Sequence, residues 1–96
     1  MIADYFTSAQ LLGEKADLAK RFTAALKESL AYADAHPDAV RQIVTTYTTI
    51  KAEAAAAMTL PKFSAEINKT SVDKMDNLMV TEGLLTAPVD TAKLLP

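Results

Sequence analysis

The sequence predicts a mainly α chain, with about five helices and one short amino-terminal strand or arm, forming a single helical subdomain over residues 1–96. Three observations predict it. Apolar residues recur every three or four positions over three long stretches. Helix punctuation falls between those stretches, at Asp17, Pro37, Pro61 and Gly83. Half the residues are hydrophobic, but many are alanine and only six are Tyr or Phe, with no Trp. Alanine buries little area per residue, so such a core is thin, and a partner chain or second lobe covering one face would help it.

The elements follow in order. Ile2 to Thr7, with Ile2, Tyr5 and Phe6 as its bulky residues, is the one candidate strand. A lone strand cannot satisfy its own backbone groups, so it either pairs with another chain or lies as an extended arm. Thr7 with Gln10 fits a capping box that opens a short helix ending near Gly13. From about Asp17 to Ala35, Leu18, Phe22, Ala25, Leu26, Leu30 and Ala33 recur at helical spacing, which leaves Lys20, Arg21, Lys27, Glu28 and Asp34 outside. Asp17 belongs in or before the first turn, where negative charge is favoured. Pro37 ends that helix and opens the next as its first residue, where a missing N–H costs nothing. Val40, Ile43, Val44 and Tyr47 form the following stripe, and the β-branched run Thr45 to Thr49 reads as the fraying end of that helix plus a turn. Lys51 to Met58 is alanine-rich and helix-favouring, and Leu60-Pro61 stops it. The last long helix runs from about Asn68 to Glu82 with Val72, Met75, Leu78 and Met79 inward. Gly83 ends it, Leu84 and Leu85 fold back over its last turn, and Asp90 caps a short turn through Leu94.

The charge balance excludes several functions. Ten basic and twelve acidic residues are interspersed, giving a net charge of −2. No basic stripe suits a nucleic acid. Without cysteine there is no disulfide framework, thiolate nucleophile or cysteine-based zinc site. No apolar run approaches the roughly 20 residues that span a bilayer. The amino terminus as written lacks the charged-then-apolar pattern of an export signal.

The residues that bear chemistry are few. His36 is the single histidine, in Asp34-Ala35-His36-Pro37-Asp38. A metal or catalytic site needs further ligands or a nucleophile, and residues two apart point away from each other on a helix. His36 therefore reads as the cap residue between two helices. Asp73 with Asp76, and Glu14 with Asp17, are three apart beside Lys74 and Lys15, and read as solvated charge. Asn68-Lys69-Thr70 fits a glycosylation acceptor, but Asn68 serves equally as a helix cap. Met1, Met58, Met75 and Met79 read as core filler. With only Gly13 and Gly83 there is no phosphate-cradling loop. No catalytic residue, metal site or cofactor is indicated.

The strings "YFTSAQLLGEKADLAKRFTAALKESLAYADAHPDAVRQIVTTYTTI" and "AAAAMTLPKFSAEINKTSVDKMDNLMVTEGLLTAPVDTAKLL" carry a further signal. Together they resemble the carboxyl-terminal part of periplasmic solute-binding proteins of ABC importers, in the nitrate, sulfonate, taurine and thiamine-precursor branch. Tyr32 to Asp38, Thr59 to Pro61, Glu82 to Leu85 and Pro88 to Asp90 fall in the family's order, over nearly the whole chain. One departure is Lys15-Ala16 before Asp17, where the family often has Asn-Pro. The family proteins are several times longer, with two α/β lobes in the type II periplasmic-binding-protein fold. The resemblance implies a non-enzymatic carboxyl-terminal fragment whose helices pack on the sheet of the first lobe. It implies a small-molecule solute and an ABC permease as partners in the full-length context, and a periplasmic or membrane-attached extracytoplasmic location. An enzyme of thiamine-pyrimidine synthesis shares the family fold, but its chemistry would need residues outside this chain. The family's ligand contacts lie mainly outside this segment; Tyr5 and Thr7, near the interlobe crossover, are the fringe candidates. Without that sheet, the apolar stripes need other cover, so a homo-oligomer is expected, through exposed helix faces and an Ile2–Thr7 arm that pairs or exchanges with its copy.

Overall fold

The computed structural model describes residues 3–96. It contains six helices among them: α1 (Ala9–Glu14), α2 (Ala16–Ala35), α3 (Pro37–Tyr47), α4 (Ala52–Ala57), α5 (Lys69–Thr81) and α6 (Thr91–Leu94). The chain divides into two units. Phe6–Ala65 carries α1 to α4, and Glu66–Pro96 carries α5 and α6, together with the described arm residues before Phe6.

No strand occurs among the described residues, and residues 3–7 form an arm without regular structure. Of the strand or extended arm expected from Ile2 to Thr7, the described residues show the arm; Ile2 itself, like Met1, lies outside the described residues. A strand exists only through ladder hydrogen bonds to a neighbour, and no second strand among these residues offers them.

In the first unit, α2 packs on α1 and α3, and α3 packs on α4. Ser8, not Thr7, caps α1: its hydroxyl accepts from the Leu11 N–H at 3.1 Å. Gln10 reaches forward to Glu14 instead of back to a capping residue. The helix ends near Gly13 as expected, at Glu14, before Lys15 turns the chain into α2. Asp17 lies in the first turn of α2 and pairs with Arg21 at 3.1 Å. Pro37 occupies the first turn of α3, as its missing N–H favours. The threonine run ends that helix through back-bonding: Thr45, Thr46 and Thr48 hydroxyls donate to the carbonyls of Gln42, Ile43 and Val44.

The core is thin. Ala55 is the buried hydrophobic residue among those described, at 1% exposure. It sits in α4, where a run of alanines lets the backbone approach α3 closely. Leu26, Leu30, Ala33, Val40 and Val44 are only half-buried. Leu18, Phe22, Ala25, Ile43 and Tyr47, expected on the covered stripes, are exposed. Periodicity shows that a face is apolar, but burial also requires a second element over it.

In the second unit, Asn68 caps α5 by accepting from the Ser71 N–H at 3.1 Å. The helix ends in a Schellman turn: Gly83 adopts φ +79°, its N–H donates to Val80 O, and the Leu84 N–H donates to Met79 O at 2.8 Å. Leu85 is half-buried, while Leu84 points to solvent. Val72, Asp73, Asp76 and Val80 are the half-buried side of α5. Met75, Leu78 and Met79 are exposed, which corrects their expected inward placement and the reading of Met75 and Met79 as core filler. Met58 is half-buried.

Candidate functional site

The α2–α3 junction holds the chain's single histidine. His36 is at once the carboxyl-terminal cap of α2 and the amino-terminal cap of α3, as its position before Pro37 suggests. Its side chain, however, makes no capping bond to α3. Nδ1 instead lies 2.8 Å from the Tyr32 carbonyl one turn back, and the imidazole stacks on the Tyr32 ring with centroids 3.9 Å apart and planes 14° from parallel. With Nδ1–H donating, the ring satisfies a carbonyl that the end of α2 leaves without a helical partner. The flanking aspartates serve the local chain. Asp34 accepts from the Phe63 N–H at 3.2 Å, anchoring the segment after α4, and Asp38 lies in the first turn of α3. The junction is built for holding helices.

Beside it, Arg41 spans from α3 to the end of α4. Nε donates to Ala55 O and Nη2 to Met58 O, both at 3.1 Å. A cation there satisfies two carbonyls at the negative end of a helix. Sequence reasoning missed this residue. Its one signal is an arginine in a stripe that faces an alanine-rich helix, where small side chains leave a long one room to reach the backbone.

The carboxylates of α5 are the second cluster; they stay in reach of solvent, as expected, and are also hydrogen-bonded to specific partners. Asp73 accepts from Lys69 at 2.7 Å and from the Thr91 hydroxyl at 2.7 Å. Lys69 also lies 3.4 Å from that hydroxyl. Asp76 receives the Val89 N–H on both oxygens, at 3.0 and 3.2 Å. These bonds hold residues 89–91 and the start of α6 against α5. The Lys69 hydrogen bond, and then that of Thr91, keep the Asp73 carboxyl below its ordinary value. Glu14 and Asp17 do not form a pair; they bond to Gln10 and Arg21 respectively.

Tyr5 and Thr7 lie in the exposed arm. Two depressions are open grooves: one runs along α2 beside Leu12, Lys20 and Thr23, the other follows the α3–α4 contact beside Asp38, Gln42 and Ala52. Among the described residues, no three of His, Asp and Glu come together to hold a metal ion. Nor is any helix there long and apolar enough to cross a membrane. What the structure offers instead is exposed apolar surface on ordered helices: Leu18, Phe22 and Tyr32 on α2, Ile43 and Tyr47 on α3, Met75, Leu78 and Met79 on α5. Compared with known proteins, the chain matches no family model, no curated protein and no solved structure.

Proposed function

We propose that this chain is the helical carboxyl-terminal segment of an ABC-importer solute-binding protein for small nutrients of the nitrate, sulfonate, taurine or thiamine-precursor class. In this reading it is non-enzymatic, binds no solute by itself and associates with a second copy through its exposed helix faces. The permease is a partner of the full-length protein, which works outside the cytoplasmic membrane. One observation carries the reading: the motifs that resemble the family come in the family's order, and three of them coincide with element boundaries. Tyr32 to Asp38 is the α2–α3 junction, Glu82 to Leu85 the Schellman end of α5, and Pro88 to Asp90 the entry to α6. Ordered helices that keep large apolar side chains exposed are also what a segment made to pack on a sheet would present.

The test is the genomic DNA upstream of Met1. An in-frame α/β-patterned sequence, with permease and ATPase genes beside it, is expected. Tight binding of taurine, nitrate or an alkylsulfonate to this chain alone, by calorimetry, would contradict the reading. A second reading, a stand-alone helical self-associating module, is favoured by the exposed faces of α2 and α3. It gains if the upstream DNA holds no such frame.

A further inference from the structure

The groove along α2 combines two kinds of lining. Leu12, Ala16, Thr23 and Ala24 supply its uncharged part, while Lys20 and Lys27, about 10.5 Å apart along the helix, supply its charge. No carboxylate lines it, and neither lysine is ion-paired among the described residues. Glu14 and Asp17, which precede Lys20, are engaged by Gln10 and Arg21. The space it leaves, about 480 Å³, has room for an aromatic ring. A largely apolar trough with two unanswered cations suits a large apolar group that has an anion beside it.

The charge pattern argues against the same groove of a second copy as the occupant. A two-fold axis through it sets Lys20 against the partner's Lys27, like against like. The arm of residues 3–7 has the matching chemistry. Phe6 is 96% exposed, so its own chain gives the ring no cover. Asp4, two residues earlier, is exposed and forms no ion pair among the described residues. In an extended segment, residues two apart project to one side about 7 Å from each other, and the residue between them projects to the other. Asp4 and Phe6 therefore face a groove together, while Tyr5 turns away and keeps the interaction it already has. With the Phe6 ring over Thr23 and Ala24, midway between the two lysines, Asp4 comes within reach of one flexible ammonium whichever way the arm runs.

We infer that the groove of α2 receives Phe6 and Asp4 from the arm of a second copy, reciprocally, in a two-fold dimer. The inference rests on the self-association proposed above and names the surfaces responsible for it. Sedimentation equilibrium on the full chain should show a dimer. Phe6→Ala should weaken it about tenfold or more, while the helix content by circular dichroism stays the same. Asp4→Lys, and Lys20→Glu together with Lys27→Glu, should each weaken it a few-fold, and the three changes combined should restore it. Phe6→p-benzoylphenylalanine keeps an aromatic ring and, on irradiation, should join two chains, with the adduct mapping to residues 16–27 by mass spectrometry. A dimer indifferent to Phe6→Ala or to the charge changes, or an adduct elsewhere, overturns this docking and leaves self-association standing. An adduct to residues 16–27 within one chain places the arm in its own groove and overturns the exchange. A monomer at all concentrations overturns both.

Discussion

Within the unit Phe6–Ala65, α3 holds α4 with a cation that donates to backbone carbonyls. Within Glu66–Pro96, α5 holds the segment leading into α6 with carboxylates that accept from a backbone N–H, a hydroxyl and an ammonium. The difference follows from what each neighbour leaves unsatisfied. The carboxyl end of α4 presents bare carbonyls, and only a donor can answer them. The approach to α6 presents an irregular N–H at Val89, which needs an acceptor. The first contact also has a buried alanine at its centre, while the second relies on polar bonds around half-buried Val72 and Val80. Packing and a permanent charge hold one; titratable charge holds the other.

The contrast can be broken most strongly at Ala55. Ala55→Leu forces extra methylenes into the one close contact and should cost about 3 kcal/mol, read as a lowered urea midpoint with faster amide exchange in α3 and α4. Exchange in α5 should be unchanged. Arg41→Ala should follow at about 2 kcal/mol, because the carbonyls of Ala55 and Met58 lose a charged donor. Arg41→Lys should recover only part of that, since one ammonium cannot reproduce the forked geometry.

The smallest effect sharpens the comparison by pH. The folded-state carboxyl of Asp73 sits below its ordinary value, so its contribution is present above the usual carboxylate range near 4 and lost as pH falls through the depressed value. Protection of the amides of residues 89–94, relative to their intrinsic exchange, should therefore fall in strong acid, and Asp73→Asn should lower it already at neutral pH and flatten its pH dependence. The α3–α4 clasp contains no carboxylate, so that contact should show no such loss. An acid-induced opening of α3–α4 ahead of α6 would defeat the distinction.

Much of the fold is legible in the amino-acid sequence. Pro37, Asn68 and Gly83 mark helix ends correctly because each acts through its own backbone: a ring without an N–H, a side chain that reaches three residues ahead, and a φ that other residues avoid. Thr7 misleads for the same local reason, since the adjacent Ser8 competes for the cap. Of the candidate site, the capping position of His36 is readable. Its bond to Tyr32, the Arg41 clasp and the roles of Asp73 and Asp76 are not. The last three join residues 13 to 18 positions apart, and nothing within one helix indicates which carbonyl or N–H a later segment will bring.

The sequence by itself determined where helices form, because propensity, capping and backbone restriction act within a few residues. It also determined that each long helix has an apolar face. Tertiary structure alone decided which part of each face is covered: Leu26 and Leu30 but not Leu18 and Phe22 on α2, Val72 and Val80 but not Met75 and Leu78 on α5. Burial is a relation between two surfaces, and a helix that carries more apolar surface than its neighbours can cover does not specify which side they take.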